Sequence, residues 1–219
     1  FYSPRSFYSK DAIKNQRDAV ISEANSAAAR TPDSISEPRT NRQEEARLCV
    51  YVKETLDLLY DRENSPEDVR KKISFDVHNL RPEGVFRNVD LIAVDWVDGS
   101  SVELVTVEAK LDFNPECVQQ ASFYQRFAHR SWIAVLLEKG KPDQAWQALQ
   151  SRDSSLFEHA VGLGLGILAC FHGPNGSYRV VPAHWPRRIE PEAVEKKRFI
   201  SAYYDTFVAA GVVPKDSGR

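Results

Sequence analysis

Methionine is absent from all 219 positions, the first included, so the sequence is expected to be a trimmed or partial chain. Cysteine is scarce. Cys49, Cys117 and Cys170 are odd in number, far apart and form no Cys-x-x-Cys pair. That spacing argues against a zinc site or a disulfide framework and points to buried free thiols in a reducing compartment. Long apolar runs are also missing. The longest, around residues 167–171, is far too short to cross a bilayer. No signal peptide is legible, so the expected location is cytoplasmic (or nucleoid or nuclear), not secreted. The net charge of -2 supplies no global basic field. A nucleic-acid partner would have to rely on local basic patches. Gly-x-Ser-x-Gly and P-loop patterns are absent, and the histidines (His78, His129, His159, His172, His184) show no metal-ligand spacing. Gly162-x-Gly164-x-Gly166 is not a dinucleotide fingerprint, because an apolar strand follows it; close backbone packing accounts for it better.

What is present is an ordinary globular composition, 42% hydrophobic and 27% charged. Residues 1–40 read as an appendage, with helical potential over 10–30 and a Pro-rich linker over 31–39. Residues 41–62 form the first clear helix, with Cys49, Val52, Leu56 and Leu59 as its apolar stripe. Extending that stripe by one turn reaches Glu45, with Glu44 as the competing acid. Strands are expected over 73–80, 89–96 and 102–111, the last two joined by a hairpin at Asp98-Gly99. A helix over 115–130 is capped by Asn114 with Pro115 at N1. The apolar stretch 131–138 lacks alternation and reads as a central strand covered on both faces. A helix over 142–159, broken near 151–155, then strands over 162–172 and 178–181 and a helix over 191–210 complete the chain. This order gives an α/β protein with a mixed sheet and helices on both faces.

The chemistry concentrates in residues 102–111, VELVTVEAKL. Period-2 alternation puts Val105, Val107 and Ala109 on one face, and Leu104, Thr106, Glu108 and Lys110 on the other. Two readings stay open from this stretch alone: a solvated ion pair between residues two apart, or half of a site. The hairpin places the start of the preceding strand beside the end of this one, so Asp90 should approach Glu108 and Lys110. Two carboxylates and a lysine suit a hard divalent cation and an activated water. Gln120 and Tyr124 lie one helical turn apart on the following helix, with Gln119 and Gln125 as competitors; ordinary surface polarity is the plainer account of that pair. Of the basic clusters, Arg126 and Arg130 lie on this same helix and are the better candidates for phosphate contact.

With Asp90, Glu108-Ala109-Lys110 and Gln120-x-x-x-Tyr124 set out, residues 43–182 resemble the PD-(D/E)XK nuclease superfamily, with a QxxxY element like that of its exonuclease-type members. The later strand GLGLGILACF (162–171) resembles the Gly-rich strand of small members. The resemblance implies a restriction-endonuclease-like α-β-β-β-α-β core with further C-terminal strands and a helix. It implies a nuclease domain over 41–187 between the 1–40 appendage and a C-terminal helical extension over 188–219. It further implies a Mg²⁺-dependent phosphodiesterase, with Mn²⁺ as substitute, acting on nucleic acid, DNA before RNA. Asp90, Glu108 and Glu45 would hold the metal, Lys110 would act on the water, and Gln120 would complete the catalytic set. Tyr124, Arg126 and Arg130 would contact substrate. Val89 stands where a proline often precedes the first acid. The alternative is a nucleic-acid-binding or interaction module on the same fold without turnover. A second copy of the chain is a further candidate partner; a membrane is not expected.

Overall fold

The computed structural model describes residues 41–61, 77–80, 89–97, 101–138 and 140–210. The appendage over 1–40, the start of the strand expected over 73–80 and hairpin residues 98–100 lie outside them. The chain divides into two units, Phe1–Glu44 and Glu45–Arg219. Only the opening turn of the first helix falls in the first unit; every other described residue belongs to the second.

The elements are α1 (Asn41–Asp61), β1 (Val77–Leu80), β2 (Val89–Val97), β3 (Ser101–Lys110), α2 (Pro115–Tyr124), β4 (Arg130–Leu137), α3 (Ala145–Arg152), α4 (Ser154–Gly162), β5 (Gly166–His172), β6 (Tyr178–His184) and α5 (Ala193–Ala209). The strands form a six-stranded sheet in sequential order. β1/β2, β2/β3 and β5/β6 are antiparallel, whereas β3/β4 and β4/β5 are parallel. The parallel pairs are those whose connections carry helices, α2 in one and α3–α4 in the other, as parallel pairing requires. The protein is therefore α/β, with a mixed sheet flanked by helices.

One face of the sheet is covered by α1. Leu48, Val52, Leu56 and Tyr60 are buried against Val105, Val107, Ala109, Trp132 and Ala134. The core line thus runs at strict four-residue spacing, and Cys49 and Leu59, expected on it, pack from its partly buried flank. The Trp132 indole donates to the Tyr60 hydroxyl at 3.1 Å, so this large buried ring leaves no polar atom unsatisfied. On the other face, α2, α3 and α4 bury Cys117, Val118, Leu149, Phe157 and Ala160 over β4 and β5.

The last helix, read as part of a C-terminal extension, packs on the sheet. Phe199 and Phe207 of α5 are buried with Tyr124 and Phe127 against Ile92, Val94 and Leu104, and Phe199 stacks on Phe127 at 4.2 Å. Residues 188–210 therefore lie in the same compact unit as the sheet. The helix over 115–130 is shorter than expected, ending at Tyr124. Its cap is as read, with the Asn114 side chain accepting from the Cys117 N–H and Pro115 in the first turn. The break near 151–155 is Asp153, whose carboxylate caps α4 by accepting from the Leu156 N–H at 2.9 Å. Every residue of β4 is buried, as its lack of alternation suggested. Among the described residues no helix is long and apolar enough to cross a membrane.

His129 is buried and structural. Its Nδ1 accepts from the Leu104 N–H at 3.0 Å, and burial lowers its pKa to about 4. The glycine-rich stretch has a steric basis. A Cβ on Gly166 would lie 2.5 Å from Trp132 Cε3 and 2.7 Å from Pro186 Cδ, whereas one on Gly162 would meet nothing within 4 Å. Gly166→Ala should therefore cost about 1–3 kcal/mol through overpacking, and Gly162→Ala should be neutral or slightly stabilising. Urea unfolding of both variants checks this; equal effects would contradict the packing account.

Candidate active site at the open end of the central strands

The β2–β3 ladder runs from Val97↔Ser101 to Leu91↔Val107. Two residues further along β3, a backbone donor finds a side chain instead. The Ala109 N–H donates to Asp90 Oδ2 at 2.7 Å. Asp90 is thereby held beside the residue that lies between Glu108 and Lys110 in sequence. On the other side β3 pairs in parallel with β4 through Lys110↔Val135, so the cluster sits where the carboxyl ends of parallel strands gather. Open α/β sheets commonly place ligands there.

Glu108 is only 1% exposed. Both of its oxygens are engaged: Oε2 accepts from the Tyr124 hydroxyl at 2.8 Å, and Lys110 Nζ lies 2.5 Å from Oε1. The Tyr124 contact follows from the capped start of α2, which fixes the helix so that its last turn faces Glu108. Burial raises the Glu108 pKa, against the lysine and tyrosine that favour the charged form. Burial also works against the Lys110 ammonium, but Glu108, Asp90 and Glu45 outweigh it and raise the Lys110 pKa. Asp90 is raised to about 7, first by burial and then by the Glu108 charge, despite its bond to Ala109.

Of the two helix acids considered, Glu45 is the one whose charge acts on Asp90, Glu108 and Lys110. Cys49 and Cys117 border the cluster. Burial is the main cause that raises both thiols, Cys117 to about 11, so neither offers a thiolate at neutral pH. All three cysteines are free.

Gln120 is one turn before Tyr124 on α2. Its amide nitrogen and oxygen are both buried, and neither has a hydrogen-bond partner among the described residues. Buried amides are almost always paired, so this side chain has unused capacity to hold a ligand or water.

The residues expected on substrate fare differently. Tyr124 is fully buried, and its hydroxyl donates to Glu108. Arg130 is also buried, paired with Glu103 at 3.3 Å and donating to the Pro186 carbonyl, which removes it from the surface and corrects its assignment to substrate. Arg126 is exposed but faces Glu195 at 3.3 Å and Glu192 at 3.6 Å, over the Phe123 ring.

Among the described residues no three His, Cys, Asp or Glu side chains converge as a metal-holding group. A scan against protein-family models found no match, and searches of curated proteins and of solved structures found none either.

The Asp90 shift sets a pH dependence. Its folded pKa, about 7, lies above the ordinary value of 3.8, so the folded state holds the proton more tightly than the unfolded chain. The resulting stabilisation is complete below about pH 3.8 and is lost as pH rises through about 7. Without added metal, Asp90→Asn should be more stable than wild type at pH 8, with the gap closing toward pH 5. Urea midpoints across that range check this; an Asn variant weaker than wild type at pH 8 would contradict it.

Proposed function

We propose that the protein is a metal-dependent nuclease of the PD-(D/E)XK type, on a restriction-endonuclease-like fold, that hydrolyses phosphodiester bonds in nucleic acid, DNA before RNA. The observation that carries this reading is the cluster at the end of β3, where Asp90 accepts from the Ala109 N–H beside Glu108 and its Lys110 partner.

The donor chemistry fits a hard divalent cation. The charges of Asp90, Glu108 and Glu45 all act on one lysine, and burial first, then the Glu108 charge, raises Asp90 into the neutral range. Such a site gains from a cation that replaces the proton, and oxygen donors favour Mg²⁺ or Mn²⁺. Asp90 and Glu108 would hold it; Glu45 adds its charge to the site but does not converge with them as a third ligand among the described residues. When bound, the cation supplies Lewis acidity to a phosphodiester and its attacking water.

The chain's own side chains divide the remaining work. The Lys110 ammonium orients the water and offsets charge that builds on phosphate oxygens. The unpartnered Gln120 amide holds a water or a phosphate oxygen. Tyr124 keeps Glu108 in place. The second reading, a nucleic-acid-binding module without turnover, draws on the full engagement of both Glu108 oxygens in this arrangement.

A panel of DNA and RNA substrates with Mg²⁺ or Mn²⁺ separates the two. The nuclease reading expects cleavage that falls by about 100-fold or more in Glu108→Ala and Lys110→Ala, with circular dichroism unchanged, and by less in Gln120→Ala. No cleavage of any substrate, with DNA binding that survives Glu108→Ala, would favour the second reading.

A further inference from the structure

We infer that Lys110 is a built-in stand-in for the divalent cation: the Glu108–Lys110 ion pair is the resting form of the site, and it opens when the metal binds. The inference rests on the nuclease reading for its metal, and it goes further by assigning a gating role to the lysine.

Glu108 is almost completely buried, so it requires a positive or donating partner at all times. Tyr124 satisfies Oε2. Oε1 is left to Lys110, whose Nζ lies 2.5 Å away. Asp90 commits Oδ2 to the Ala109 N–H. The Gln120 amide oxygen is unpartnered among the described residues. A cation entering here must therefore take Glu108 Oε1 from the ammonium.

The lysine can yield that position. Its side chain is 17% exposed, against 1% for Glu108, so it already reaches toward solvent. Its flexible four-carbon stem lets the ammonium move while the backbone stays paired with Val135. Two cations cannot share one oxygen at bonding distance without strong repulsion. Metal entry thus releases Lys110 toward whatever water or phosphate the metal recruits, and the lysine is available to substrate only after the metal is in place.

The test uses the full chain with Ca²⁺, a cation of the same donor preference that commonly binds without supporting turnover. Calcium binding is measured by calorimetry, and in the same samples the rate of lysine modification by acetic anhydride is followed by mass spectrometry. The ion-pair release expects Lys110 to react slowly without Ca²⁺ and several-fold faster at saturation, with exposed Lys197 unchanged. Calcium binding with no rise in Lys110 reactivity would overturn the gating role and leave the metal site standing. No binding of Ca²⁺ or Mn²⁺ would overturn both. A second measurement uses Lys110→Met. Its melting temperature without metal should fall below wild type, and Ca²⁺ should raise it by more than it raises wild type; an equal or smaller rise counts against the inference.

Discussion

The buried charge of Glu108 is the constraint on which the site depends. A carboxylate with almost no exposure, at the end of a strand covered on both faces, costs several kcal/mol unless it is paired. Three features of the fold meet that demand. α2 starts at a fixed point because Asn114 and Pro115 cap it, and this delivers Tyr124 to one oxygen. Strand alternation puts Lys110 on the same face as Glu108, within reach of the other. Where the β2–β3 ladder stops, Asp90 takes the next backbone donor and brings a second carboxylate alongside.

That arrangement leaves the cluster short of positive charge. One lysine faces Asp90, Glu108 and Glu45, and burial, with the Glu108 charge after it, raises the proton affinity of Asp90. In the proposed nuclease, a divalent cation takes the place of that proton and of the lysine's contact with Glu108. Under that proposal, VELVTVEAKL would hold an ion pair at rest and half of a metal site when loaded.

Most of the scaffold was legible because it follows from periodicity and local chemistry. The unbroken apolar run of β4, the Asn-Pro start of α2 and the Asp153 break were each readable from a few neighbouring residues. What escaped was set by partners distant in sequence. Arg130 looked like a helix-surface cation, yet it opens a central strand and pairs with Glu103 across 27 residues. The sequence puts Tyr124 one turn beyond Gln120, but it does not show that this side chain meets Glu108 before it meets solvent. The α1 stripe was displaced because Leu48 and Tyr60 fit four-residue spacing as well as Cys49 and Leu59 fit a mixed one, and only the sheet below decides between them. The role of α5 as a cover for β2 and β3 depends on Phe127 in the turn after α2, an aromatic partner that no local pattern announces.

The central claim is that Asp90 and Glu108 together hold one divalent cation. Electron paramagnetic resonance during a Mn²⁺ titration tests it most directly, because bound and free Mn²⁺ are distinguished without any substrate. One bound Mn²⁺ per chain is expected in the wild type, displaced by Mg²⁺ and lost in both Asp90→Asn and Glu108→Gln. Manganese that stays free in the wild type, or that binds the two variants as well as the wild type, would contradict it.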